Sequence, residues 1–272
     1  MVVRPHGDLV TFKVLATDLD GTLLRSDGTV SDRTRAALEA AWEAGIVTVF
    51  VTARPPRWLH SLVDHVGDHG VVICGNGAFV YDVAARRIVE QRTFADADLL
   101  ALARDLRDAI AGIAFAVERA DGMGREGAYV YRDEAAGIER GPLEQLLGAG
   151  VGKLLARCDA MEPSAFLDRV AEVVGDRAAL GYSGALGLAE LTAPGVTKAA
   201  GLSAWCAERA IGPAEVVACG DMPNDLPMLR WAGHAVAVAN AHPEVLAAAD
   251  EIVAGHDDDG VATVLERLAV RG

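Results

Sequence analysis

The feature that most constrains the fold of this chain is the alternation, near its start, of short apolar runs with helix-like segments. Residues 46–51 and 71–74 are rich in β-branched side chains, as are strands buried on both faces of a parallel sheet. A helix with Ser31 as its N-cap is expected before the first of these runs, and a second helix is expected to begin at Pro56. This alternation predicts an open parallel sheet of the α/β class.

The same alternation returns in the last third of the chain. Strands are expected over residues 216–219 and 235–238, and helices over residues 197–210, 224–231 and 261–270. Both ends of the chain therefore predict one doubly wound, parallel-sheet core of the Rossmann-like kind.

The middle of the chain follows a different pattern. Four segments of alternating character are interleaved with two helix-like segments, which indicates an α+β unit of mixed antiparallel strands. The strands are expected at residues 113–118, 128–132, 153–158 and 186–191, and the helices near residues 96–111 and 163–174. We therefore expect an α+β cap domain at residues 84–192, inserted into a core formed by residues 1–83 and 193–272.

A glycine-rich run at residues 122–127 matches the GxGxxG pattern of dinucleotide-binding proteins. That pattern has to open a helix, but here a strand-like segment follows at residues 128–132. We interpret the run as a hairpin turn.

Composition and charge narrow the function classes. The 272 residues are 51% hydrophobic, no segment approaches about 18 consecutive apolar residues, and no signal peptide is recognised, so a cytoplasmic protein is expected. The formal net charge of −14 argues against nucleic acid and membrane surfaces as partners. We expect a monomer or a homodimer. Only three of the 25 basic residues are lysines (Lys13, Lys153 and Lys198), which suggests that a compact ammonium is required at some of these positions.

Polar residues follow the predicted core strands at the points where those strands end. They are Asp18 and Asp20 after the first strand, Thr52 and Arg54 after the second, Asn76 after the third, and Asp221, Asn224 and Asp225 after the late one. Ligands of open α/β sheets bind beyond the carboxyl ends of the strands, so a site is expected at this edge. Four carboxylates in one place require a neutralising cation, and hard oxygen donors without His or Cys favour Mg²⁺.

Four segments, in order, resemble the motifs of the haloacid dehalogenase superfamily. They are DLDGTLL at residues 18–24, TAR at 52–54 (usually TGR), PGVTK at 194–198, and GDMPNDLPML at 220–229. Their order and spacing, with the long insertion between the second and third, resemble the Cof-type branch with a type IIB cap. The resemblance covers about residues 12–270. Ala53 departs from the usual glycine of the second motif.

The resemblance implies a Mg²⁺-dependent phosphatase that hydrolyses small phosphate monoesters. It implies that Asp18 attacks phosphorus and forms an aspartyl-phosphate, and that Asp20 acts as general acid and then as general base. Thr52 and Lys198 would contact the phosphoryl group as catalytic and substrate-binding residues.

The resemblance also implies a metal site and further substrate contacts. The implied Mg²⁺ ligands are Asp18, Asp20 through its backbone carbonyl, Asp221, and Asp225 through water or from behind. Asn224 is expected to orient the acidic loop or the phosphate. Arg54 either reaches substrate or pairs with a carboxylate, and Asn76 either lines the pocket or only forms a turn.

Alternatives remain open at this point. A phosphomutase or phosphotransferase with the same fold is a second hypothesis. A non-catalytic protein that binds phosphorylated metabolites is a third. The expected substrate is a phosphorylated sugar, a sugar acid or a cofactor such as flavin mononucleotide. Four cap residues either face the pocket or decorate an exposed sheet: Arg125, Tyr129, Tyr131 and Arg132.

Overall fold

The structure is a computed structural model, and it describes residues 12–59, 69–130, 137–183 and 185–270. The strands, in chain order, are β1 (Val14–Thr17), β2 (Val47–Val51), β3 (Val71–Cys74), β4 (Phe79–Asp82), β5 (Arg87–Gln91), β6 (Ala114–Arg119), β7 (Gly122–Arg125), β8 (Glu139–Arg140), β9 (Val151–Arg157), β10 (Ala179–Gly181), β11 (Ala189–Thr192), β12 (Val216–Gly220), β13 (His234–Val238) and β14 (Glu251–Val253). The helices are α1 (Asp32–Glu43), α2 (Asp96–Ala109), α3 (Pro163–Val174), α4 (Lys198–Ala207), α5 (Leu226–Trp231), α6 (Pro243–Ala248) and α7 (Gly260–Ala269).

The first sheet has eight strands in the order β14-β13-β12-β1-β2-β3-β4-β5. Strands β14 through β3 pair in parallel, whereas β4 and β5 pair antiparallel to their neighbours. Strand order runs one way from β1 to β3 and the other way from β12 to β14. The switch point, where an open α/β sheet binds its ligands, therefore lies between β1 and β12.

Two groups of helices pack on this sheet. Helix α1 contacts α7, while α4 contacts α5 and α5 contacts α6. The hydroxyl of Ser31 accepts a hydrogen bond from the amide of Thr34 and so caps α1, as the sequence predicted. The expected doubly wound α/β core is confirmed.

The second sheet has six strands in the order β10-β11-β9-β6-β7-β8. Its side chains alternate between two apolar clusters, because successive residues of a strand point to opposite faces. Phe115 and Val117 of β6 belong to the main core. Ala114 and Ala116 of the same strand, with Leu155 of β9, belong to a separate small cluster on the other face.

The prediction for residues 122–130 is wrong in its placement of the strand, and the end of the expected strand, residues 131–132, lies outside the described residues. The first four residues of the glycine-rich run form strand β7, paired antiparallel with β6, and residues 128–130 do not form a strand. A Cβ on Gly124 would approach the side chains of Leu146 and Val117 at 3.1 Å. Glycine is therefore needed there for close packing within a strand, and the hairpin turn precedes the run.

Other element boundaries differ by a few residues. The helix predicted from Pro56 begins as a short 3-10 helix, Pro56–Trp58, and its expected continuation at residues 60–66 lies outside the described residues. The helix predicted over residues 224–231 is preceded by another 3-10 turn, Pro223–Asp225. The antiparallel pair β4 and β5 was not predicted.

The predicted domain boundaries fall at different kinds of position. The first, between residues 83 and 84, falls between β4 and β5, two strands of the same sheet. The second, between residues 192 and 193, falls directly after β11, the last strand of the second sheet. The division of the chain into domains stays a prediction.

Among the residues described, no helix is both long enough and apolar enough to cross a membrane.

Candidate active site

The site is built at the switch point, where β1 and β12 lie side by side. Asp18 follows β1, and its amide donates a hydrogen bond to the carbonyl of Cys219 in β12 at 3.0 Å. Asp221 follows β12 directly. Both carboxylates are buried, with 5% of Asp18 and 6% of Asp221 exposed.

A tight turn after Asp18 packs on Asp221. Gly21 has a φ of +82°, and a Cβ there would lie 2.5 Å from Oδ2 of Asp221, so both the backbone conformation and the contact require glycine. The hydroxyl of Thr22 donates to Oδ1 of Asp221 at 2.7 Å. The first motif thus positions the carboxylate of the last one.

Lys198 joins the carboxylates. Its ammonium, 3% exposed, donates to Oδ1 of Asp18 at 2.5 Å and to Oδ1 of Asp225 at 2.8 Å. It is the first residue of α4, whose N-cap Thr197 accepts a hydrogen bond from the amide of Ala200. Asp18, Asp221 and Asp225 each place one oxygen within 4.8 Å of the others, and these three carboxylates can hold a metal ion.

Asp225 organises the acidic loop. Its Oδ2 accepts hydrogen bonds from the amides of Asp221 at 3.2 Å and Met222 at 3.1 Å, while its Oδ1 accepts from Lys198. Both oxygens therefore have protein donors, and Asp225 is better suited to holding the loop and the lysine than to binding an ion directly.

The electrostatics of this cluster show a shortage of positive charge. Burial raises the pKa of Asp18 well above its ordinary value of 3.8; the Lys198 ammonium opposes the rise, and Asp225 and Asp221 add to it. Burial also raises the pKa of Asp221 to about 6, against the hydrogen bond from Thr22. Burial lowers the pKa of Lys198, but attraction to Asp18 and Asp225 outweighs it, and the net shift is upward.

A divalent cation fits this donor set. Three buried carboxylates face one ammonium, and a further positive charge would lower the pKa values that burial raises. All the donors are hard oxygens, which suit Mg²⁺ better than zinc.

Thr52 and Arg54 follow β2. The hydroxyl of Thr52, only 1% exposed, accepts a hydrogen bond from the amide of Arg54 at 3.0 Å. The guanidinium of Arg54 donates from Nε to Oδ2 of Asp20 at 2.8 Å and from Nη2 to Oδ1 at 2.6 Å. Of the two roles considered for Arg54, the structure shows the ion pair. Asp20, with 57% of its side chain exposed, is held outside the three-carboxylate cluster.

The two asparagines lie in different surroundings. Asn224 lines the cavity, and its buried Oδ1 has no hydrogen-bond partner among the described residues. Asn76 has a φ of +58°, and its Nδ2 donates to Oε2 of Glu190 in the second sheet at 2.7 Å. Asn76 therefore links the core to the second sheet.

A cavity of about 620 Å³ opens between these strand-end loops and one face of the second sheet. Its lining includes five of the predicted site residues, namely Asp18, Asp20, Arg54, Asn224 and Lys198. Thr52, Asn76, Asp221 and Asp225 are not among the described lining residues. Of the four cap residues considered, Tyr129 lines the cavity, Arg125 donates to the carbonyl of Tyr129 at 2.7 Å, and Tyr131 and Arg132 lie outside the described residues.

Sequence reasoning missed a buried connection across the cavity. Nζ of Lys153 donates to the carbonyl of Ala53 at 2.8 Å and to Oε2 of Glu190 at 3.1 Å. We call this the Lys153–Glu190 bridge. A second ion pair, at 2.8 Å, joins Arg57 of the core to Glu118 of β6. The rarity of lysine was the one available signal for Lys153, because its partner lies in another strand.

A family model and similar proteins identify the family of this chain. A family model described as haloacid dehalogenase-like hydrolase matches residues 15–265. The chain is similar to the 5-amino-6-(5-phospho-D-ribitylamino)uracil phosphatase YitU of Bacillus subtilis (strain 168), 26% identical over 266 residues, which cover 93% of this chain and 96% of that protein. It is also similar to the solved structure of BT1666 from Bacteroides thetaiotaomicron, a phosphatase, with a TM-score of 0.81, 25% identity and 98% of both chains covered.

A plant protein shares only part of its length with this chain. Endoribonuclease YBEY, chloroplastic, of Arabidopsis thaliana is 26% identical over 278 residues. The match covers 95% of this chain but 47% of the plant protein, so the chain spans about half the length of that relative.

Proposed function

This chain belongs to the haloacid dehalogenase-like hydrolases, and from that membership we propose that it is a Mg²⁺-dependent phosphatase that forms an aspartyl-phosphate on Asp18. The observation that carries the proposal is the contact of Lys198 with both Asp18 and Asp225, beside Asp221, at the switch point of the sheet. The Bacillus and Bacteroides relatives, both named phosphatases, support hydrolysis of a small phosphorylated metabolite.

Asp18 is the proposed nucleophile. One of its oxygens forms a bond to phosphorus while the bond from phosphorus to the ester oxygen breaks. Lys198 supplies positive charge that stabilises both the nucleophile and the phosphoryl oxygens. Its ammonium lies against Asp18 and lines the cavity where those oxygens would bind. Asn224 and the hydroxyl of Thr52 are proposed to contact the phosphoryl group.

Asp20 is the proposed acid and base. It donates a proton to the leaving ester oxygen and later accepts one from the water that attacks the aspartyl-phosphate, which releases inorganic phosphate. Because Arg54 occupies both of its oxygens, Asp20 has to exchange part of that ion pair for the leaving group. Arg54 is then free to donate to the substrate, which would combine the two roles considered for it.

Asp18 and Asp221 would hold the Mg²⁺, with the Asp20 carbonyl completing the protein ligands and Asp225 fixing the loop behind them. When bound, the ion supplies positive charge that stabilises the developing negative charge on phosphoryl oxygens.

The test is release of inorganic phosphate from p-nitrophenyl phosphate by the full chain, with Mg²⁺ or with EDTA. Wild type should be active only with Mg²⁺, and Asp18→Asn should lose at least about a thousandfold in kcat, as removal of a nucleophile does. Phosphorylation of Asp18, trapped by acid quench and located by mass spectrometry, should appear in wild type only.

Three outcomes would contradict the proposal. Activity that survives both EDTA and Asp18→Asn would place the chemistry elsewhere. Transfer of phosphate to an added alcohol in preference to water would favour a phosphotransferase. Binding of phosphate esters without turnover would favour a non-catalytic protein.

A cytoplasmic location belongs to the proposal as well. The four cysteines are free and buried, which suits a reducing compartment.

A further inference from the structure

The cavity is larger than a phosphate group requires. Its volume of about 620 Å³ lies in the range of pockets that enclose ligands of some 20 or more heavy atoms. Because the phosphate belongs at the Asp18 end, the remaining space has to be filled by the leaving group. One face of the second sheet forms the wall of that space.

The near end of this wall is tied to the core. Glu118 of β6 and Lys153 of β9 are direct neighbours across the sheet. Glu118 pairs with Arg57, and Lys153 donates to the carbonyl of Ala53, next to Thr52. Both charged side chains at this end therefore already have partners within the protein.

The middle of the wall is apolar. Leu155, two residues along β9, lies opposite Ala116 of β6. Leu155, Ala116 and Tyr129 belong to one small cluster, and the side chains of Leu155 and Tyr129 line the cavity. This stretch favours an apolar or planar part of a ligand over a polyhydroxylated one.

The far end of the wall carries Arg157. It lies opposite Ala114, four residues along β9 from Lys153, which at roughly 3.3 Å per residue is about 13 Å from the end tied to the core. Its guanidinium donates to the carbonyl of Leu186 at 3.3 Å and is hydrogen-bonded to the side chain of Tyr129.

Arg157 differs from the other cations of the cavity. Each of the others forms an ion pair with a carboxylate of the protein, namely Arg54, Arg57, Lys153 and Lys198. Within the described ranges Arg157 has no such partner. Asp159 lines the same cavity but is exposed, and it forms no ion pair with Arg157. A half-buried guanidinium without a counter-charge is best satisfied by an anionic group on the ligand.

We propose that Arg157 selects substrates by binding an anionic group at the end of the leaving group remote from the phosphate. The substrate class is an elongated phosphate monoester with an apolar middle and a carboxylate or similar anion at its far end. This inference rests on the proposed phosphatase function.

The experiment compares two substrates that differ only in charge. They are 4-(2-carboxyethyl)phenyl phosphate and the corresponding primary amide, with phenyl phosphate as a common reference. The readout is the ratio of kcat/KM for acid over amide within each protein, so any general loss of activity cancels. Wild type should prefer the acid by about tenfold or more, mainly through KM, since a charge-assisted hydrogen bond contributes at least that much.

Variants of Arg157 assign the preference to its side chain. Arg157→Gln should bring the ratio close to one, and Arg157→Lys, which keeps the charge but not the fork of donors, should give an intermediate ratio. The control is Arg169→Gln, an exposed residue of α3 that is not among the cavity-lining residues; it removes the same charge and should keep the wild-type ratio.

The possible failures are distinct. Hydrolysis of all three esters by wild type without preference for the acid overturns this inference alone, and so does a preference that survives in Arg157→Gln. If wild type hydrolyses none of the three esters, the proposed function is overturned, and this inference with it.

Discussion

At the scale of single residues, the site depends on contacts that leave no room for a larger side chain. The turn between Asp18 and Thr22 approaches Asp221 so closely that a single added carbon at Gly21 would overlap its carboxylate. The position of Asp221 is therefore set by a residue with no side chain, as well as by the hydrogen bond from Thr22.

This contact gives a prediction with a matched control. Gly21→Ala and Gly28→Ala carry the same cost of a positive φ, since the two angles are +82° and +81°, but a Cβ on Gly28 has no atom within 4 Å. The positive φ should cost both variants about 1 kcal/mol of stability, and Gly21→Ala should lose more because its Cβ overlaps Asp221. Only Gly21→Ala should also raise the Mg²⁺ concentration required for half-maximal phosphatase activity, by about tenfold or more.

The measurement is a Mg²⁺ titration of phosphate release for both variants and wild type. Equal Mg²⁺ requirements for the two variants would show that the turn does not position Asp221.

At the scale of secondary-structure elements, the two sheets are joined by buried polar contacts as well as by the chain. The Lys153–Glu190 bridge links β9 and β11 to the loop after β2, and Asn76 adds a contact from the loop after β3. Ser183 donates to the other oxygen of Glu190 at 2.5 Å, so both oxygens of this carboxylate have partners. Burial raises the pKa of Glu190, but the charge of Lys153 and the hydrogen bonds that Ser183, Lys153 and Asn76 donate outweigh it, and the net shift is downward.

Breaking this bridge on one side should be costly. Lys153→Met leaves Glu190 buried without its counter-charge and should destabilise the protein by about 3–5 kcal/mol. The double variant Lys153→Met with Glu190→Leu removes both charges and should regain much of that stability. It should still have low kcat/KM, because the loop of Thr52 and Arg54 loses its contact with β9.

Urea unfolding and steady-state kinetics of the single and double variants test this prediction. Glu162→Gln, a change at the exposed N-cap of α3, serves as a control for the loss of a carboxylate. Full recovery of kcat/KM in the double variant would show that the bridge does not position the loop.

How far these elements could be predicted depends on how local their cause is. Core strands such as β2 and β3 and helices such as α3 follow from residue patterns that need no partner. The hairpin of β4 and β5 and the strand β7 depend on long-range packing that the pattern does not record. The grouping of acidic residues at one sheet edge was expected because strand ends converge in parallel sheets. The side-chain pairs across the cavity could not be predicted, because the register between β9, β6 and β11 is fixed only by folding.

At the scale of the whole molecule, a buried acidic cluster is held in a protein with a formal net charge of −14. Burial holds the pKa of Asp221 at about 6, above its ordinary value of 3.8. Between these values the folded protein binds more protons at Asp221 than the unfolded chain does. The free energy of unfolding of the metal-free protein should therefore fall as the pH rises through this range.

Asp221→Asn removes this destabilising charge. In EDTA at pH 7.5 the variant should be more stable than wild type, by on the order of 2–3 kcal/mol, and near pH 4 the difference should be small. Added Mg²⁺ should raise the melting temperature of wild type more than that of the variant.

Thermal melts at the two pH values, with EDTA or Mg²⁺, measure both effects, and Asp159→Asn at an exposed position is the control. If the variant is no more stable than wild type at neutral pH in EDTA, the buried charge of Asp221 does not destabilise the metal-free protein.

The pairing of β1 with β12 has a consequence for the newly made chain. The second partner of the first strand is encoded some 200 residues after it, so a nascent polypeptide cannot pair both sides of β1 until β12 has been synthesised. Until then one side of β1 has backbone groups without hydrogen-bond partners in a neighbouring strand. The acidic residues Asp221 and Asp225 of the candidate active site have also not yet been synthesised. Chains that stop before β12 should therefore be both inactive and prone to aggregate.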